Sequence, residues 1–175
     1  MVYIALLSAA VIAGIDQLLK YLAVNNLSAK TTYPLITVNG KDWLNLTYVE
    51  NNGAGFSLLS GATLFLVIVT SVIILTLIVL LLVKAVKKPM VIWGFAFIIG
   101  GGLGNLIDRL FRGGVVIDYI DLRIINFAVF NFADCFVVIG VIMLFVSLLF
   151  CGGVKNEKDN DTVTDIPKTL TENDK

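Results

Sequence analysis

The chain of 175 residues is 58% hydrophobic and 15% charged, with a mean hydropathy of +0.92. Soluble domains are about half apolar and roughly a quarter charged, so this composition excludes an ordinary soluble domain. Lys and Arg balance Asp and Glu at a formal net charge of zero, and histidine is absent. No global field therefore favours nucleic acid, and His triads, His general bases and most zinc sites are excluded.

The apolar residues fall in blocks, and a helix needs about 20 of them to cross a hydrocarbon core ~30 Å thick. The first block, Tyr3 to Leu22, is broken only by Asp16, Gln17 and Lys20. Its start, MVYIALL, has no basic n-region, and Asp16 and Lys20 would interrupt an apolar h-region, so a retained span is expected rather than a cleaved signal peptide. In the segment GKDWLNLTYVENNGAGFSL (40–58), Leu44, Leu46 and Tyr48 alternate ahead of the turn signal ENNG. A short strand and turn at the membrane interface are expected there, with Trp43 and Tyr48 at headgroup level, before Asn51, Gly53 and Gly55 lead back in.

The second block, Gly61 to Val83, carries no charge. The connection after it, VKAVKKP, holds Lys84, Lys87 and Lys88 without an acid. Positive short loops stay cytoplasmic, which predicts both termini inside and segments 23–60 and 112–131 outside. The third block runs from Met90 to about Leu110, and its Gly100, Gly101, Gly102 and Gly104 suit close helix packing or a groove for another backbone. The fourth runs from Phe132 to Cys151; Cys135 and Cys151 have no metal-site or disulfide spacing, and Cys135 reads as a thiol packed in a membrane helix. The polar tail from Gly152 is expected to be a disordered cytoplasmic extension. The fold class is an all-α polytopic membrane protein of four transmembrane helices with a small extracytoplasmic β element. Residues 1–151 form the membrane domain and 152–175 the tail.

This topology brings ionisable groups from three helices to one depth. At 1.5 Å per residue Asp16 lies ~9 Å from the outer end of its helix, and Asp108 lies ~27 Å from Met90. Asn131 and Asp134 open the fourth helix at the same face. Asn105, Asp108, Arg109 and Arg112 share one helical stripe, and Asp16 and Lys20 are an i, i+4 pair with the acid first. Charges inside membrane helices are costly unless paired, and they mark functional sites. An ion-pair network gluing the helices absorbs Asp16 with Lys20 and Asp108 with Arg109. It does not absorb Asp118, Asp121 and Asp134, which outnumber Arg123. Two carboxylates held close share a proton, so one activates water while the other polarises an amide carbonyl. Asp118 and Asp134 suit that chemistry, with Asp121 left open, and Asn105, Arg109 and Asn131 suit orienting roles.

The ordered motifs DQLLK (16–20), ENNGAGFS (50–57), GGGLGNLIDR (100–109), VVIDYID (115–121) and FNFAD (130–134) resemble those of bacterial lipoprotein signal peptidases, the signal peptidase II family. The resemblance covers residues 1–150. It implies an aspartic endopeptidase of the bacterial plasma membrane that cuts prolipoproteins just before a diacylglyceryl-modified cysteine, with its active site at the outer face. It places the catalytic dyad on Asp118 and Asp134, which demotes Asp121. The supporting residues fall on Asp16, Lys20, Asn51, Gly53, Asn105, Asp108, Arg109 and Asn131. Membrane lipids and the lipidated substrate are the implied partners, with no metal, cofactor or nucleic acid, and a monomer is expected. Lipid chains add ~0.8 kcal/mol per buried methylene, and a gap between the helices carrying Asp16, Asn105 and Asp134 is expected to admit the substrate sideways.

Three other readings compete. A GxGD-type protease needs an acid where Asn105 follows Gly104. A Ser/Lys peptidase using Ser57 or Ser60 with Lys20 needs a neutral amine, which Asp16 one turn away opposes. A proton-coupled transporter shares intramembrane acids, but no internal repeat accompanies them here.

Overall fold

The computed structural model describes residues 1–27, 32–53, 61–125 and 127–151. The chain order is helix α1 (Val2–Asn26), strands β1 (Thr32–Val38) and β2 (Lys41–Asn51), and helices α2 (Thr63–Leu82) and α3 (Pro89–Phe111). Strand β3 (Val116–Leu122), a 3-10 turn (Arg123–Ile125) and helix α4 (Phe132–Cys151) follow. All four α-helices are long and apolar enough to cross a membrane. The expected tail, together with Gly55, Ser57 and Ser60, lies outside the described residues.

Helix α3 is the central element: about half of it is buried, against 17% of α2 and of α4. The sequence reason is three consecutive glycines, each turned to a different neighbour. A Cβ on Gly100 would meet Ala9 O and Ile12 Cβ of α1, each at 2.9 Å. One on Gly101 would collide with Ala133 O of α4, and one on Gly102 would meet Ile74 Cδ1 of α2 at 3.2 Å. Successive helical residues are rotated by about 100°, so three small residues in a row open contact on three sides. Between α3 and α4 the approach is reciprocal, since a Cβ on Gly140 would lie 2.7 Å from Gly94 O. Of the two uses expected for these glycines, close helix packing is the one observed. Ala5, Ala9, Ile74, Leu81, Ile92, Ala96 and Ile99 fill the core among α1, α2 and α3.

The β element is larger than expected. Its three strands form one antiparallel sheet in the order β1-β2-β3. The β1–β2 hairpin turns at Asn39 and Gly40, whose φ values of 52° and 74° are both positive, as a two-residue type I′ turn requires. The hairpin turn therefore lies at VNGK; the expected turn after Tyr48 is instead the bend at Asn52 and Gly53 that follows the end of β2. Segment 112–131 is not a plain loop either. Gly113 (φ 66°) and Gly114 (φ 94°) reverse the chain after α3, and seven of the residues that follow become β3, with Val49 opposite Asp118 and Asn51 opposite Val116. Beneath the sheet, Ile117 and Tyr119 pack with Ala23 of α1 and with Leu46 and Phe132.

The glycine contacts make a direct prediction. Gly101→Ala forces a methyl into the α4 backbone and is expected to destabilise the protein by about 1–3 kcal/mol, the usual cost of overpacking. Gly102→Ala meets only the flexible end of Ile74 and is expected to leave the midpoint in place. Thermal unfolding in detergent, followed by near-UV circular dichroism, compares the two.

Candidate active site

Lys20 lies one α-helical turn after Asp16 and is completely buried. Its ammonium has three donors and three acceptors: Asp16 Oδ2 at 2.9 Å, Asp108 Oδ2 at 2.9 Å and Asn105 Oδ1 at 2.8 Å. Arg112 Nε adds a 3.1 Å pair to Asp108 Oδ1, so two acids face two cations. This corrects the expected couple of Asp108 with Arg109. Neighbouring residues on a helix point about 100° apart, whereas i and i+4 align. Asp108 therefore reaches Arg112, and Arg109 turns away to donate from Nη2 to Gly53 O at 2.9 Å.

The same two acids fasten other elements. Asp16 Oδ1 accepts the backbone N–H of Ala133 in the first turn of α4 (3.0 Å), and Asp108 Oδ2 accepts that of Ile117 in β3 (3.1 Å). Gln17, present in the DQLLK motif but not singled out, bridges Gly104 O (3.0 Å) and Asp108 Oδ1 (3.1 Å). Gly104 is glycine because a Cβ there would collide with Asp16 Oδ2.

Three asparagines carry this frame to two further carboxylates. The oxygen of each is claimed by a donor, and this determines where its NH2 points. Asn105 Oδ1 faces Lys20, so Nδ2 donates to Asp134 Oδ1 at 2.8 Å. Asn51 Oδ1 accepts Gly53 N–H at 3.0 Å, closing an Asx turn, and Nδ2 donates to Asp118 Oδ2 at 2.9 Å. Asn131 Oδ1 accepts Asp134 N–H at 3.0 Å, while Asp134 Oδ2 accepts Asn131 N–H at 3.2 Å. That exchange is a capping box at the start of α4. Asn131 Nδ2 then donates to Asp118 Oδ1 at 2.6 Å and to Asn105 Oδ1 at 3.0 Å. Each oxygen of Asp118 and of Asp134 thus receives an oriented N–H.

Asp118 and Asp134 line a cavity of about 510 Å³ with Asn51, Asn105 and Arg109. Residues 127–130 and Val137 to Ile139 form its apolar wall, and Cys135 also lines it. Val138 and Ile139 also belong to the exposed flank of α4, so the cavity is continuous with the helix surface that faces lipid. Burial pushes the Asp118 carboxyl up to about 6; the Asn51 bond opposes this, Asp134 adds to it, and Asn131 and Lys20 oppose it.

The structure thus brings Asn51, Asn105, Arg109, Asp118 and Asp134 to the cavity. Asn131 lies buried between the two acids, and Gly53 contributes only backbone. Asp16, Lys20 and Asp108 lie behind the cavity, sealed from it. The gap expected between the helices carrying Asp16, Asn105 and Asp134 does not open beside Asp16, which is fully buried where Gly104 lets α1 and α3 meet. Asp121 lies an odd number of residues from Asp118, on the other side of the strand. There it bonds Arg123 Nε at 2.6 Å and Thr47 Oγ1 at 3.1 Å. The apolar wall 127–130 was not identified from sequence, and its signal is the charge-free run between Arg123 and Asp134.

Removing one partner of a buried pair costs about 3–5 kcal/mol, mostly for the charge left behind. Lys20→Met is expected to destabilise by that order, and Lys20→Met/Asp16→Asn, which restores neutrality, to recover part of the loss. Unfolding midpoints of the two variants in detergent decide this, and equal midpoints would sink the charge argument.

The profile of the signal peptidase (SPase) II family matches residues 8–150. The chain is 40% identical over 154 residues to a lipoprotein signal peptidase of Caldanaerobacter subterraneus subsp. tengcongensis, covering 86% of this chain and 99% of that one. It is 41% identical over 151 residues to that of Clostridioides difficile, covering 86% and 96%. A solved bacterial membrane enzyme, determined by the in meso method at 2.3 Å, superposes with a TM-score of 0.78 at 32% identity, covering 89% of this chain and 93% of that one. With a matching profile over most of its length and relatives of this identity aligned nearly end to end, the chain belongs to the signal peptidase II family.

Proposed function

We propose that the protein is an aspartic endopeptidase that removes the signal peptide of diacylglyceryl-modified prolipoproteins, with Asp118 and Asp134 as its catalytic pair. The observation that carries this reading is the shared set of amide donors: Asn131 touches both acids, and Asn51 and Asn105 bond one each, inside one cavity. The carboxyl of Asp118, raised to about 6, holds the shared proton. Asp134 sits in the first turn of α4, where the helix dipole complements a carboxylate.

In the reaction Asp134 accepts a proton from water as the water oxygen bonds to the scissile carbonyl carbon. Asp118 gives its proton to the carbonyl oxygen. The resulting diol collapses as Asp134 passes its proton to the amide nitrogen, the C–N bond breaks and one diol hydroxyl returns its proton to Asp118, so the dyad ends with one proton again. Arg109 lines the cavity beside both acids, where its guanidinium is placed to orient a substrate carbonyl. The lysines 84, 87 and 88 lie at the opposite end of α3 from the site, so the positive-inside rule puts the dyad at the outer face and both termini in the cytoplasm. The apolar wall and its continuity with α4 suit acyl chains arriving from the outer leaflet. One copy carries every residue named, so a monomer is competent.

The test uses detergent-solubilised full-length protein with a diacylglyceryl-modified prolipoprotein and its unmodified form. Cleavage of the lipidated form alone is expected, falling by about 10²–10⁴-fold or more in Asp118→Asn and in Asp134→Asn and persisting in Asp121→Asn. Survival of cleavage in either of the first two variants would remove that acid from the dyad.

The pH profile is a second test. Because Asp118 acts protonated, activity is present below its raised value and is lost as pH rises through about 6. The Asn51 bond favours the ionised carboxylate, so Asn51→Leu raises the Asp118 value further. The alkaline limb of kcat/KM is therefore expected to move to higher pH in that variant, and a shift to lower pH would reverse the assignment of Asp118 as the acid.

A further inference from the structure

Ten residues between Arg123 and Asp134 (IINFAVFNFA) carry no charge. In the 3-10 turn Ile124 is 51% and Ile125 63% exposed, and Phe127 just beyond is 42% exposed. Such apolar exposure is unusual on a surface bathed in water. The depth of this segment follows from what it touches. Phe127, Val129 and Phe130 line the same cavity as Val137, Val138 and Ile139 of α4. The latter three lie five to seven residues inside the helix, ~8–10 Å below its first turn. Val138 and Ile139 are 56% and 43% exposed on the lipid-facing flank of that span. The segment therefore descends beside α4 instead of standing above it.

We propose that the turn carrying Ile124 and Ile125, with the chain from Phe127 to Phe130, is inserted into the membrane leaflet nearest the dyad, with phospholipid as its partner. There it forms the wall of the cavity facing α4. Hydrogen bonding supports a shallow insertion. Phe127 N–H donates to Leu122 O (3.2 Å), while Ile120 and Phe130 exchange N–H···O bonds of 2.8 and 3.0 Å. Both ends of the 127–130 stretch are thus hydrogen-bonded to β3, which removes part of the backbone cost that lipid contact carries. Arg123 stands at its foot, paired to Asp121 with its side chain 52% exposed, where its guanidinium faces lipid phosphates while the isoleucines reach below. The inference needs the helices to span a bilayer. It does not depend on which face the site looks onto, or on the peptidase reading.

The experiment uses the full chain with Trp43→Phe and Trp93→Phe, adding Ile125→Trp, or Ile124→Trp as a second site, reconstituted in phosphatidylcholine vesicles. Phe145→Trp in the same background gives a lipid-facing reference, since Phe145 is 60% exposed in mid-span. With lipids brominated high on the acyl chain, emission from the indole introduced at either turn position is expected to be lost to an extent comparable with the reference, while aqueous iodide has little effect. Quenching by iodide and not by brominated lipid places the turn in water and overturns the proposal. Protection from both quenchers means that protein, such as a second copy, covers the turn, and overturns it equally. No catalytic turnover enters the readout, so failure here is separable from failure of the peptidase assay.

Discussion

The site depends on one buried ammonium. Lys20 can only donate, and its three hydrogens go to Asp16, Asp108 and Asn105. Taking a charge out of water costs several kcal/mol, and paired ions in low dielectric often no more than break even on stability. The arrangement is better understood through direction. A donor-only group imposes an oxygen on each neighbour, so the amide of Asn105 has one orientation, and its NH2 must face Asp134. Asn131 also donates to the Asn105 oxygen, and its own oxygen is taken by the α4 backbone. Polarity passes from a residue outside the cavity to both acids inside it.

The membrane makes that wiring strict. In lipid an unsatisfied polar group has no water to turn to, so the carboxylates and amides of the site are matched by protein, and Arg109 Nε stands as an exception among the described residues. Asp16 and Asp108 serve two ends at once: each accepts from Lys20 and from a backbone N–H of α4 or β3, so that Ala133 and Ile117 are located relative to the same ammonium. Ile117 precedes one acid of the dyad, and Ala133 precedes the other. The glycines are the steric half of the same constraint. Without a side chain at Gly101 and Gly104, α3 comes close enough to α1 and α4 for bonds of hydrogen-bond length to form between helices.

What the sequence discloses follows the strength of each constraint. The four spans are legible within a few residues because a hydrocarbon core demands apolar runs of a minimum length. The α4 start is visible at Asn131 because a cap and its N3 acid are local chemistry. The sheet is much less visible, since β3 pairs with β2 across two membrane helices and its acids break any apolar alternation. Even so, Asn39-Gly40 was a local hairpin signal available to be used. The pairing of Asp108 was readable too, because i, i+4 geometry names Arg112 and rejects Arg109. Asp118 and Asp121 are separable by strand parity only once VIDYIDL is known to be a strand. A helix or loop assignment leaves both acids open, and the family resemblance was needed to choose.

The division of the site into a polar half and an apolar half has a chemical consequence. Water attack requires a hydrated carboxylate pair, whereas acyl chains require a surface that excludes water. The proposed dyad would meet both by straddling two kinds of element. Asp118 comes from a strand outside the span and Asp134 from the first turn of a helix inside it, with Asn131 joining them at the boundary. Moving either acid by one residue would break this. On β3 the next residue faces the opposite side of the sheet, and on α4 the neighbouring position lies about 100° around the helix. Cys135 occupies that neighbouring position, and its thiol donates to Asn131 O at 3.6 Å and to neither acid. The proposed chemistry is therefore confined to the few positions where a strand end, a helix cap and an apolar groove coincide.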